Sequence, residues 1–118
     1  MDEYFLDAQH RKHFNDLLSN DDTSLYDTER LAMFFILSGN AALYRHVNEI
    51  YNFRSHMLKS NTISKLGYLC NSALSLLRLS INLYNGRHFR GSDPCNLLSC
   101  LDHDNLQLAL DAMKIRFQ

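Results

Sequence analysis

Between residues 85 and 94 the chain reads NGRHFRGSDP, which sets Arg87, His88 and Arg90 between two glycines. A guanidinium presents a planar fork of N–H donors that matches two oxygens of a phosphate or carboxylate, and an imidazole adds a titratable donor. The stretch therefore reads as an anion-binding or partner-binding loop. Arg78, a charge inside an otherwise apolar helical run, is a candidate floor for the same groove, because a charge there must be paired or reach water. The same letters also describe an ordinary connection between helices. In that reading Gly86 stops one helix, Asp93 with Pro94 starts the next, and Phe89 anchors the loop in the core.

Other chemistry is sparse. His10 and His13 lie three apart and share a face if helical, but a zinc site needs three or four convergent ligands and no recognisable ligand spacing occurs. We expect no metal and no other cofactor. Cys70, Cys95 and Cys100 make an odd count without a CxxC pair, so they read as reduced thiols. Cys70, inside an apolar helical pattern, reads as an inert core residue. No GxSxG, GxxxxGK[ST] or GxGxxG string is present. No catalytic residue is assigned and the chain is expected not to be an enzyme. An enzyme would need His10, His13, His88 or His103 to converge in space.

The elements that must position these residues belong to one domain, 1–118, since halves of a 118-residue chain are too small to bury adequate cores. Hydrophobic residues make up 46% and charged residues 21%, which excludes a disordered chain. The N-terminus is acidic without an apolar segment, and the longest apolar run, LAMFFIL at 31–37, falls well short of the ~20 residues that span a bilayer. The expected setting is cytoplasmic, with no membrane partner.

Charge is uneven along the chain. Residues 1–29 hold eight acids against two bases, residues 30–92 eight bases against one acid, and residues 93–118 four acids against two bases. The plain expectation is that the acidic first segment docks on the basic middle. The alternative is an open basic face for phosphates.

Helical periodicity dominates. Asp7 can cap a first helix carrying Ala8, Phe14, Leu17 and Leu18, ending in the turn SNDDTS at 19–24. Asp27 can cap TERLAMFFILS, and Gly39 supplies a left-handed stop. Asn40 can cap AALYRHVNEIYN, whose Leu43, Val47, Ile50 and Tyr51 share one face, whereas 53–62 has no clear period. The longest pattern predicts one helix over about 63–85, apolar on most sides and therefore the buried centre of the fold. Its polar stripe is Asn71, Ser75, Arg78 and Asn82, and Arg78 is expected to pair with an acid of the first or last helix. A short helix follows Asp93-Pro94. Asp102 can cap a last helix with Leu106, Ala109, Leu110, Met113 and Phe117 facing the core. The fold class is all-α, five to six helices packed around the long one.

The strings FLDAQHRKHFNDLL, DTERLAMFFILSGNAALY, INLYNGR and LDHDNLQLALDAMKIRF resemble a family of short, uncharacterised helical proteins of Firmicutes and their phages or mobile elements. The resemblance covers nearly the whole chain and carries over no catalytic residue. It implies a bacterial or phage origin, a cytosolic setting and action by binding another protein.

The expected function is a non-enzymatic protein-binding module, an inhibitor or adaptor of a bacterial complex, with Tyr26 and Met33 available for a homodimer face. One alternative is a nucleic-acid-binding protein using Arg45, Arg54, Lys59, Lys65, Arg87 and Arg90 on phosphates. It is disfavoured by a pI near 6.6 and by the lack of a recognition helix rich in polar and basic residues. The other is a small metal-dependent or anion-binding enzyme.

Overall fold

Five polar side chains start helices here, each taking an N–H group that the first turn leaves without a partner. Asp7 accepts from the His10 N–H, Asp27 from Arg30, Asn40 from Leu43, Asp93 from Asn96 and Asp102 from Asn105. In the computed structural model, which describes residues 4–118, they open α1 (Ala8–Asp21), α2 (Thr28–Gly39), α3 (Ala41–Arg45), α7 (Pro94–Leu98) and α8 (His103–Phe117). Between these lie α4 (Val47–Ile50), α5 (Thr62–Lys65) and α6 (Asn71–Asn85). The expected all-helical chain also carries one antiparallel hairpin, β1 (Tyr51–Asn52) with β2 (Met57–Leu58), in the register Tyr51 to Leu58 and Asn52 to Met57.

The centre of the fold is α2, not the 63–85 segment. Every residue from Leu31 to Ser38 is buried, and α1, α6 and α8 pack around it. A helix apolar on all sides belongs inside, and LAMFFIL meets that condition more fully than the leucine-rich run. The predicted helix over 63–85 is two pieces. After α5 the chain turns through Leu66–Cys70, with the Gly67 N–H donated to the Ser64 carbonyl and the Leu69 N–H to Leu66, before α6 begins. Glycine in a helix interior costs about 1 kcal/mol, and Leu66 stays fully buried across the break, so the apolar period continues where the helix does not.

Other differences are local. The segment expected as one helix after Asn40 breaks at His46, yet Leu43, Val47, Ile50 and Tyr51 are all buried as predicted. On α8 the inward face is rotated: Leu108, Ala109, Ala112 and Ile115 are buried, whereas Leu110 and Phe117 are exposed and Leu106 and Met113 half-buried. Gly39 is not a left-handed stop. It is absent from the positive-φ residues, and a Cβ there would overlap the Leu108 side chain and approach His10 Nε2 to 2.9 Å. Glycine is required because α1 and α8 close on α2 at that point. Met33 is fully buried and cannot contribute to a dimer face.

The radius of gyration is 12.9 Å, close to the ~13 Å expected of one domain of this length. No helix among the described residues is long and apolar enough to cross a membrane. No buried side-chain polar atom among them lacks a hydrogen-bond partner.

Candidate functional site

The four residues singled out from the sequence do not share one cavity. Arg87 lines a cavity with Leu58–Ser64, Ile81 and Asn85, whereas His88 lines another with Glu29, Gly86, Arg116 and Phe117. Arg90 is exposed and lines neither. The loop that carries them is closed on itself: Ser92 Oγ accepts the Phe89 N–H at 2.9 Å, Phe89 packs on the core, and Gly91 turns the chain with φ of 78°. Arg78 is half-buried on α6. Among the described residues it makes no ion pair, so the expected bridge to the first or last helix is absent. Among the described residues, the arginines that ion-pair across elements are Arg116, from α8 to Glu29 and also to the Leu83 carbonyl, and Arg30.

Around Arg30 the structure assembles a cluster that no motif announced. Asp21, at the end of α1, is 4% exposed. One of its oxygens accepts the Tyr51 hydroxyl at 2.7 Å and His56 Nδ1 at 2.7 Å, and the other accepts the Thr23 hydroxyl at 2.6 Å and faces Arg30 Nε at 3.6 Å. Arg30 donates Nε to the Tyr51 oxygen at 3.1 Å, one terminal nitrogen to Asp27 at 2.8 Å and the other to the His56 carbonyl at 2.8 Å. The α1–α2 loop, α2 and the hairpin are thereby tied through one buried carboxylate.

Local backbone chemistry brings His56 there. Asn52 Oδ1 accepts the N–H groups of Arg54 at 2.9 Å and Ser55 at 3.2 Å, a side-chain-directed turn that reverses the chain. His56 then takes φ of 59°, a left-handed conformation that a non-glycine residue adopts at some cost. Its bond to Asp21 and Arg30's bond to its carbonyl hold it there.

The electrostatics follow from the contacts. Burial pushes the Asp21 carboxyl up, but hydrogen bonds from Thr23, Tyr51 and His56 and the charge of Arg30 outweigh it and hold the group below its usual range. Burial drives the Tyr51 hydroxyl well above its usual range, with the Asp21 carboxylate adding to the shift. The hydrogen bond to Tyr51 leads the causes that raise Arg30 further. With Asp21 ionised, Nδ1 of the half-exposed His56 ring is the donor to it. A cavity of about 350 Å³ opens beside it, lined by Asp21, Asp22, Thr23, Ser24, Asp27, Arg30 and His56.

A carboxylate-oriented imidazole is the geometry of a general base. Here, however, the Thr23 and Tyr51 hydroxyls both donate to Asp21, and every terminal nitrogen of Arg30 is engaged within the cluster. These bonds hold the hairpin and the loop together.

Large apolar side chains stand exposed on those two segments: Leu25 at 73% and Tyr26 at 95% on the loop, and Met57 at 62% on the hairpin. One sign of the cluster is legible in the chain itself. Tyr51 falls on a predicted core face, and a buried tyrosine hydroxyl needs a partner. Asp21, Arg30 and His56 lie 9, 26 and 35 residues apart from one another and carry no local signal.

The remaining histidines and cysteines do not converge. His10 is buried at the α1–α2 contact, donating Nε2–H to the Phe35 carbonyl at 3.0 Å and accepting the Leu6 N–H at 3.1 Å. His13 stacks on Tyr44 with centroids 3.8 Å apart. Among the described residues no three His, Cys, Asp or Glu side chains are grouped to hold a metal. All three cysteines are free and exposed. Cys70 is not in the core: it precedes α6, where hydrogen bonds with the Ser72 hydroxyl and the Ala73 backbone hold its thiol below the usual range.

A family model spans residues 1–118, and its description is that of a family of unknown function, DUF6075. No curated protein and no solved structure matches the chain significantly.

Proposed function

The chain belongs to that family, and from this premise we propose that it is a non-enzymatic protein-binding module which docks through the end formed by the α1–α2 loop and the hairpin. The observation that carries the reading is the exposure of Leu25, Tyr26 and Met57 on two segments clamped by one buried network. Tyrosine and methionine are enriched at protein interfaces, and an anchor already held in place loses little freedom on binding. The exposed Asp22 and half-buried Asp27 beside them suit a partner with basic groups at its rim. The partner is a protein of a bacterial complex in the cytoplasm, which the module inhibits or adapts, in keeping with the resemblance to proteins of Firmicutes and their mobile elements.

The test is affinity capture from bacterial lysate with and without nuclease, using the wild type and a Tyr26→Ser/Met57→Ser variant. A protein retained after nuclease treatment by the wild type and lost by the variant is the expected result. Recovery of nucleic acid alone, released by nuclease or salt, overturns the reading.

A further inference from the structure

The opposite charge balance governs a second concave surface. Leu58–Ser64, with Ile81 and Asn85 of α6 and Arg87 just beyond it, enclose a cavity of about 260 Å³. Its lining residues include the cations Lys59 and Arg87, the hydroxyl-bearing Ser60 and Ser64, and the carboxamide-bearing Asn61 and Asn85, with no carboxylate among them. The ion pairs of the described residues involve Arg30, His46, His56, Lys114 and Arg116. Lys59 and Arg87 have none.

Arg87 is held rather than free to swing away. Its N–H donates to Asn85 Oδ1 at 2.9 Å, its carbonyl accepts Asn82 Nδ2 at 3.0 Å, and its guanidinium lies over the Phe89 ring at 4.6 Å. It follows Gly86, whose φ of 76° ends α6 in a left-handed cap. On the facing side, the Lys59 N–H donates to the Ile50 carbonyl and the Thr62 hydroxyl to the Lys59 carbonyl, so the backbone that carries the lysine is pinned at both ends. Asp93, the next carboxylate along the chain, caps α7 through the Asn96 N–H. Two like charges at one cavity repel until an anion sits between them. A guanidinium fork takes two oxygens of a phosphate, an ammonium takes a third, and hydroxyl and carboxamide donors complete the shell.

We propose that this cavity binds the phosphate of a small phosphate monoester. The volume lies below the usual ~300–1,000 Å³ of small-molecule pockets, which fits a phosphate with a pentose-sized body and excludes a dinucleotide. The same chemistry is offered by a free sugar phosphate and by the 5′ end of a nucleic-acid strand. Apart from Leu58 at the end of β2, this inference stands on residues outside the protein-docking end, and it survives or fails without that reading.

The experiment is an amide-resolved NMR titration of the whole chain at constant ionic strength. The probes are inorganic phosphate, ribose 5-phosphate, and a short single-stranded oligonucleotide with and without a 5′-phosphate. Saturable shifts confined to Lys59–Ser64 and Arg87 with ribose 5-phosphate are expected. Lys59→Gln and Arg87→Gln should each weaken binding roughly tenfold while leaving shifts elsewhere unchanged. A strand preferred only when 5′-phosphorylated also supports the cavity and assigns the source. Equal binding of both strands spread over the basic segment overturns it. So do the same shifts produced by chloride, or no saturation by about 10 mM of either phosphate.

Discussion

Asp21 shows how a single buried charge is tolerated. It is almost sealed from water and accepts three hydrogen bonds with a guanidinium nearby, which meets the condition under which a buried carboxylate stays ionised. Asp21→Asn presents an amide nitrogen to donors that need an acceptor. We expect a loss of about 3 kcal/mol in urea unfolding, with the hairpin affected most. His10 sets a different dependence. Burial, partly offset by the bond to the Phe35 carbonyl, lowers its pKa below the ordinary 6.5, so it is neutral in the fold and readily protonated once unfolded. Its contribution is fully present above about pH 6.5 and is lost as the pH falls towards the folded value. Unfolding free energy measured from pH 7.5 down to 5 should therefore decline, and the decline should shrink in a His10→Gln variant even though that variant is less stable throughout.

At the scale of elements, α8 separates what a pattern can show from what packing selects. Leu106, Leu108, Ala109, Leu110, Ala112, Met113 and Ile115 offer two overlapping apolar faces, and periodicity alone favoured the one ending in Phe117. The face that packs is the one carrying Leu108, which fits against the bare backbone of Gly39, a complementarity that resides on another helix. Leu108→Ala should cost about 2–5 kcal/mol in thermal or denaturant unfolding. Leu110→Ser, two residues away, should cost less than about 1 kcal/mol. A result in the reverse order would return the inward face to the predicted one. The split between α5 and α6 teaches the same thing: Leu66 is buried on either side of a turn, so an apolar period does not report the path of the backbone.

Across the whole molecule, the acidic first segment does not neutralise the basic middle. Of the bases between residues 30 and 92, Arg30 pairs with Asp21 and Asp27, whereas Arg45, Arg54, Lys59, Lys65, Arg78, Arg87 and Arg90 have no carboxylate within 4 Å among the described residues. Among the described residues Arg30 is thus the one arginine or lysine of that segment paired with a carboxylate of the first. In Arg30→Ala, hydrogen exchange should quicken across 22–27 and 51–58 while α6 and α8 keep their protection. Uniform loss of protection would mean that the clamp is part of the global core rather than a local tie.

Residue types and their spacing were enough for the helical class, the five caps, the burial of LAMFFIL and the inward set Leu43, Val47, Ile50 and Tyr51. These rest on contacts within a turn or two of chain, where side-chain spacing and a capping oxygen act directly on neighbouring backbone. The packed fold was needed to show that α2 is the centre, that Cys70 is exposed, that α8 turns Leu108 inward, and that Asp21, Arg30, Tyr51 and His56 meet. Each of these depends on which surface arrives opposite another across many residues of chain, a choice made by volume and by the need of every buried charge for a partner.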